Sequence, residues 1–352
     1  MIREAIRQIT AGTSLDYVTA RSVMGEVMDG VATPAQIAAL LVALRMKGET
    51  AEEIAGFASV MRERCARIRA PDGAVVDLCG TGGAPVATFN VSTIASFVVA
   101  GAGVTVAKHG NRSFTSRCGS ADLLEALGVR IDLEPAECER ILHEVGLAFL
   151  FAPKFHPAMR HAAGPRKEIG VRTVFNLLGP LTNPAGATAQ VLGVPEEKFL
   201  DPIAEALRAL GARHALVVYG VCGMDEISVS CPTRVAEVRD GTIRRYVVTP
   251  RDFGFPVAKP EDLAGSDPPE AASTAVRILR GAAGPKRDMV LANAAAGLRV
   301  ADLTDTFADG VALALEALDS GRAYGKLQAL VRTTGGDAAK LEAIHGLPAT
   351  AR

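Results

Sequence analysis

The 352 residues carry almost no net charge: 38 Lys and Arg stand against 39 Asp and Glu, giving −1. A near-neutral chain has no general attraction for nucleic acid or a membrane surface, so any anion it binds must be held locally. Zinc and redox cysteine motifs are missing too. The six cysteines, at 65, 79, 118, 138, 222 and 231, form no C-x-x-C pair and have no companion histidines at zinc spacing. Reduced, buried thiols are therefore expected. No apolar run approaches the roughly 20 residues of a membrane span; the longest nearly apolar one is 94–107. The opening MIREAIRQIT has no apolar signal core, so a soluble, cytoplasmic protein is expected. Internal repeats and low-complexity tracts are also absent.

What is present is apolar bulk. With 49% hydrophobic residues, the chain can bury a sizeable core, hiding roughly 75% of its unfolded surface as one large or two unequal domains. Residues 1–70 read as helical. Thr33 with Gln36 makes a capping box with Pro34 in the first turn, and Ile37, Leu40, Leu41 and Leu44 follow at helical spacing. A second box, Thr50 with Glu53, precedes Ile54, Phe57, Ala58 and Met61. Pro71-Asp72-Gly73 reads as a turn and hinge.

Beyond the hinge the pattern alternates. Short apolar runs at 74–78, 104–107, 147–151, 190–194 and 215–219 read as buried strands between helical segments. That predicts an α/β fold: a small N-terminal all-helical domain (1–70) and a larger α/β domain (74–352) with a mostly parallel central sheet. Ligands then belong at the carboxyl ends of the strands. The basic, helical segment 156–184 interrupts the alternation. Runs at 234–238 and 243–248 flank Asp240-Gly241, a hairpin signal. The proline-rich stretch 256–271 reads as a solvated loop, with helices from about 274, over 286–299, and over 305–333 with a break near Gly321.

The densest chemistry lies in 77–128. Gly80, Gly82 and Gly83 follow a buried strand and let bare N–H groups approach a ligand. Asn90, Ser92 and Thr93 stand where a helix would begin, Lys108 and His109 end a second strand, and Ser120 opens another helix. Strand ends and helix starts converging in this way suit a phosphate-rich ligand. Alone, GTGG is equally a plain strand-to-helix turn, and it fits neither the P-loop nor the dinucleotide fingerprint. Asp225-Glu226 supply adjacent hard oxygen ligands, with Ser92 able to offer a hydroxyl, although a lone acidic pair is ordinarily a solvated loop.

Taken together, CGTGG, FNVST, AKHGNRS, GSADLLEALG, NLLGPLTNP at 176–184 and GMDEIS at 223–228 resemble the anthranilate phosphoribosyltransferase family over nearly the whole chain. The resemblance implies a nucleoside phosphorylase/phosphoribosyltransferase-like fold in which part of 156–184 returns to the helical domain. The activity it implies is transfer of the phosphoribosyl group of 5-phosphoribosyl 1-pyrophosphate (PRPP) to the amine of anthranilate, releasing pyrophosphate, the second step of tryptophan biosynthesis from chorismate. The PRPP site it implies comprises Gly80, Thr81, Gly82, Gly83, Thr88, Asn90, Ser92, Thr93, Lys108, Gly110 and Ser120. For anthranilate it implies Gly80, His109, Asn111, His156, Met159 and Arg166, the last for the carboxylate. Two Mg2+ ions would be held by Ser92, Asp225 and Glu226. No residue need act as acid or base, with Lys108, Asn111 and Arg166 positioning the reactants, and a homodimer without nucleic-acid or membrane partners is implied.

The sequence departs from the family pattern at Ala84, where many members have Asp, at Arg117-Cys118, and at 219–223 before the acidic pair. His143 and His161 are read as structural. Two rival readings are a pyrimidine nucleoside phosphorylase, which needs no arginine for an aryl carboxylate, and a non-catalytic paralogue that binds nucleic acid, which predicts a basic face.

Overall fold

The computed structural model describes residues 1–113 and 117–345; the expected end of the second domain at 352 lies outside them. The chain begins with helices α1 (Ile2–Thr10), α2 (Tyr17–Met28), α3 (Pro34–Lys47) and α4 (Ala51–Arg64). Both capping boxes form: Thr33 and Thr50 accept from the N–H groups of Gln36 and Glu53, whose side chains reach back to the cap N–H groups. These bonds satisfy donors that a helix start otherwise leaves open, so α3 and α4 begin where the sequence says.

After the turn at 71–73 come β1 (Val75–Gly80), α5 (Val91–Gly101), β2 (Thr105–Gly110), α6 (Ser120–Ala126), α7 (Pro135–Val145) and β3 (Leu147–Phe151). The interrupting segment forms α8 (Ala152–Phe155), α9 (Arg160–Ile169) and α10 (Phe175–Leu178). The chain returns through β4 (Ala189–Gly193), α11 (Leu200–Ala209), β5 (His214–Gly220) and the hairpin β6 (Thr233–Arg239) and β7 (Thr242–Val248). It closes with α12 (Pro268–Leu279), α13 (Pro285–Val300), α14 (Phe307–Asp319), α15 (Arg322–Thr333) and α16 (Ala338–His345).

Among the described residues one seven-stranded sheet forms, in the order β3-β2-β1-β4-β5-β6-β7. The first five strands in that order are parallel, and β6 and β7 are antiparallel. Apolar side chains on one face pack against α5 and α13–α15; those on the other, such as Leu192, Val194 and Val217, join a core with α4, α10 and α11 that continues into the helical unit. α9 packs against α2 and α3.

Three expectations need correction. The stretch 256–271 is not all solvated loop: Leu263 is buried, and α12 starts at Pro268 rather than near 274. Asp267 caps that helix, and prolines suit a first helical turn, whose N–H groups have no partner within the helix. β2 runs beyond the expected 107 through Lys108, His109 and Gly110, because each pairs with β3 up to Phe151. The thiols are not all reduced: Cys222 and Cys231 form a disulfide, although the spacing shows no C-x-x-C. Val221 N–H donates to the Pro232 carbonyl at 3.0 Å, drawing the two cysteines onto the stems of one turn with Cα atoms 6.1 Å apart, within bridging reach.

Candidate active site

The chain leaves β1 on one side for β2 and β3, and returns on the other side as β4 and β5. The strand order therefore reverses between β1 and β4, and the carboxyl ends of the central strands open onto one crevice there, the usual ligand position in such sheets. Thr81 N–H donates to the Gly193 carbonyl at 3.0 Å, stitching the glycine loop across this point. Gly82 and Gly83 have φ of 66° and 77°, where a side chain would be strained.

Gly83 also leaves room for a neighbour. A Cβ there would stand 1.5 Å from Nη1 of Arg172, whose Nη2 donates to the Gly82 carbonyl at 2.6 Å. Arg172 joins α9 to α10 and was missed by the sequence reading; nothing in its own neighbourhood marks it.

Asp225 and Glu226 follow the turn after β5. The Asp225 carboxylate lies near the Gly82 N–H and the Glu226 carboxylate near the Ser92 N–H, each lowering the acid's pKa a little, so the pair faces both the glycine loop and the start of α5. Two glycines let the acidic turn lie over the strand ends. A Cβ on Gly193 would be 1.6 Å from the Asp225 carbonyl oxygen, and one on Gly80 2.9 Å from Asp225 Oδ2. Burial raises the pKa of Asp225 and pushes Glu226 to about 8, with the Asp225 charge adding to the latter.

Lys108 is buried below them. Its Nζ donates to the Leu78 carbonyl at 2.6 Å and to Ser92 Oγ at 3.3 Å. Burial lowers its pKa, and the charge of Asp77 opposes that. Asp77, another residue missed as part of the site, is fully buried, accepts from Asn183 Nδ2 at 2.8 Å and His109 N–H at 3.3 Å, and is pushed by burial to about 6. A single acid inside the apolar run AVVDL was the available signal, because a buried carboxylate needs partners.

The donor set fits magnesium. Two half-buried carboxylates and a hydroxyl are hard ligands, and the raised pKa values mean that burial outweighs the nearby charges of Arg172 and Lys108. Among the described residues no group of three or more His, Cys, Asp or Glu side chains is placed to hold a metal ion. The remaining coordination must therefore come from water and ligand phosphates, as magnesium tolerates. Nearby, Thr81 Oγ1 and Thr93 Oγ1 are buried without partners among the described residues, hydroxyls that a ligand oxygen can complete.

A cleft of about 530 Å³ continues toward the helical unit, lined by Gly80, His109, Gly110, Asn111, Arg166 and Phe175 among others. The Arg166 guanidinium lies 5.2 Å over the Phe175 ring and makes no ion pair among the described residues. A flat apolar wall beside an uncommitted guanidinium suits an aromatic carboxylate. His109 Nδ1 is 3.1 Å from the Gly179 carbonyl, and its ring lies 5.1 Å from that of His156. Burial holds both below the usual histidine range, His109 at about 3 and His156 at about 4, so both rings are neutral at physiological pH. Among the described residues the Nε2 atoms of both are buried without partners.

Other sequence candidates sit at the margin. His156 and Met159 do not line the cleft; His156 backs onto His109, and Met159 packs against the core shared with the helical unit. Thr88 pairs with Ala264 in an isolated bridge. Asn90 spends its side chain on the Cys118 carbonyl at 3.0 Å, while Ser120 opens α6, where Asp122 already accepts from Gly119 N–H. Ala84, half-buried in the glycine loop, contributes no carboxylate.

A model described as the glycosyl transferase family, a/b domain, matches residues 72–324, and one for that family's helical bundle domain matches residues 3–65. An anthranilate phosphoribosyltransferase of Pelotomaculum thermopropionicum is 52% identical over 335 residues, covering 95% of this chain and 97% of its own. The crystal structure of anthranilate phosphoribosyltransferase from Thermus thermophilus matches with a TM-score of 0.89 at 47% identity, over 94% of this chain and 99% of that one. The enzyme of Saccharomyces cerevisiae in complex with PRPP and Mg matches with a TM-score of 0.87 at 26% identity, over 95% and 98%.

Proposed function

The chain belongs to the anthranilate phosphoribosyltransferase family, and from that premise we propose how its own residues divide the work. The reaction is phosphoribosyl transfer from PRPP to the amine of anthranilate, a step of tryptophan biosynthesis; the nucleoside phosphorylase and nucleic-acid readings are not favoured. The C1–O bond to pyrophosphate breaks, the C1–N bond forms, and the proton lost by the amine passes to the departing pyrophosphate or to water.

PRPP lies at the strand ends, in this reading, with its phosphates on the glycine loop of Gly80, Thr81, Gly82 and Gly83. Thr88, Asn90, Ser92, Thr93, Lys108, Gly110 and Ser120 complete that wall. The supporting observations are the pair of unpartnered buried threonine hydroxyls and the buried Lys108 ammonium beside Ser92. Ser92, Asp225 and Glu226 hold magnesium, two ions in the family pattern, which when bound neutralises charge on the departing pyrophosphate.

Anthranilate occupies the cleft between His109, Asn111, Arg166 and Phe175, its carboxylate on Arg166, with His156 and Met159 behind. The uncommitted Arg166 guanidinium over Phe175 is the single observation that carries this placement. The histidines, neutral by burial, orient rather than exchange protons. The amine is nucleophilic once C1 becomes cationic, so positioning and charge neutralisation carry the rate.

The division into 1–70 and 74–352, with part of 156–184 joined to the first, belongs to the same proposal, supported by the packing of α9 on α2 and α3. So does a cytoplasmic homodimer joined through the helical unit, supported by the exposed Val42 and Met46, one turn apart on α3. Light scattering of Met46→Glu tests the dimer: a monomer is expected, and an unchanged mass refutes this interface. For the activity, loss of anthranilate fluorescence on adding PRPP should require magnesium and stop with chelator; no loss at any enzyme concentration would overturn the reading.

A further inference from the structure

The Cys222–Cys231 bridge closes the turn that carries Asp225 and Glu226. Besides its own Gly220–Met224 bridge and the Val221–Pro232 bond, that turn is held at both ends. On its far half, Asn293 of α13 accepts from Ile227 N–H at 3.1 Å and donates to the Ile227 carbonyl at 2.9 Å. On its near half, Cys222 is tied covalently to Cys231, and Cys222 N–H lies 3.3 Å from the Cys231 sulfur. Asp225 stands between the anchors.

The near half also touches the glycine loop. The Gly223 carbonyl accepts from Val86 N–H at 3.2 Å, and a Cβ on Gly223 would stand 3.6 Å from Pro85 and Val86. Slackening at Cys222 therefore reaches both the first carboxylate and the far end of the phosphate loop. Both bridged cysteines are half-buried, open enough for attack by a thiolate. Cys79, Cys118 and Cys138 are buried, and burial holds all three thiols well above the usual thiol range.

We propose that Cys222–Cys231 is a thiol–disulfide exchange site through which a dithiol reductant sets the divalent-cation affinity of the Asp225-Glu226 turn. This rests on the reading that the acidic pair holds magnesium. One thiolate of the dithiol attacks a bridge sulfur to give a mixed disulfide, and its second thiol displaces that bond. The protein gains two electrons and two protons as two thiols, and the dithiol leaves as a disulfide. Asn293, the Val221–Pro232 bond and the buried Met224 remain in place. Because the bridge closes only a short loop and those anchors persist, the expected change is about fivefold rather than complete.

The test uses the full-length protein. Non-reducing peptide mapping first establishes the Cys222–Cys231 link, whose absence would overturn the proposal. Mn2+ is then titrated by electron paramagnetic resonance before and after treatment with dithiothreitol, with hydrogen exchange followed at 220–227 and 85–86. Reduction should weaken Mn2+ binding about fivefold and speed exchange in both segments; equal affinity in the two forms refutes the proposal. The Cys222→Ser/Cys231→Ser variant should match the reduced form and ignore dithiothreitol, and if it does not fold, the two forms of the native chain still decide. Failure of both forms to consume anthranilate would strike the transferase reading alone, since the Mn2+ comparison needs no turnover.

Discussion

Substituting Gly193 by Ala probes the acidic turn without touching a charge. The new Cβ would stand 1.6 Å from the carbonyl oxygen of Asp225, and that oxygen is backbone, so no side-chain rotation relieves the clash. To restore ordinary contact, the turn or β4 must shift by about 2 Å. A misplacement of about 1 Å at a reacting site can cost 10²-fold, so kcat/KM should fall by about a hundredfold, equivalent to ~2.7 kcal/mol. The assay is anthranilate fluorescence with PRPP across a magnesium titration, with thermal melts confirming that the variant folds. Half-saturating magnesium should rise along with the loss. Gly164→Ala is the control, because a Cβ there meets nothing within 4 Å and lies within α9. A folded Gly193→Ala enzyme with native kcat/KM and native magnesium dependence would refute the placement of Asp225 in the site.

Three further outcomes follow from the same geometry. Asp77→Ala leaves one N–H of the Asn183 amide, whose other bond goes to the Ala107 carbonyl, and the His109 N–H without a partner in the core, at ~1–3 kcal/mol each, so urea unfolding should show a loss of several kcal/mol. Arg172→Ala removes the bond to the Gly82 carbonyl, and KM for PRPP should rise about tenfold with little change for anthranilate. Glu226 is raised from 4.5 to about 8, so its contribution to ligand-free stability is full below about 4.5 and is lost as pH rises toward 8; Glu226→Gln should flatten that alkaline decline in melting temperature. His109 and His156 act in the opposite sense, their contribution being present above 6.5 and lost as pH falls through about 4 and 3, so the acid limb should persist in that variant.

Local physics made much of the fold readable. The boxes at Thr33 and Thr50 fix two helix starts by bonds between residues three apart, and the run 147–151 became a strand of that extent. The hairpin at Asp240-Gly241 was equally local. What escaped depends on contacts far apart in sequence. Arg172 meets the glycine loop 90 residues away, Asn183 meets Asp77 across 106, and neither pairing leaves a periodic trace. The disulfide was hidden differently: Cys222 and Cys231 become neighbours only because Val221 and Pro232 close the turn. At the site, the glycine loop and acidic pair were visible as composition, but the reason for Gly80 and Gly193, space for Asp225, is a property of packing.

The most direct test of the division between donor and acceptor sites is the pair of KM values for Arg166→Ala. Arg166 lies over Phe175 on α9, in the cleft that Gly80 and Thr81 of the glycine loop also line and that the acidic pair does not. The account predicts that KM for anthranilate rises by about 10- to 100-fold, the loss of a charge-assisted bidentate bond, while KM for PRPP and the magnesium requirement stay near native. Equal losses for both substrates, or an unchanged KM for anthranilate, would contradict it.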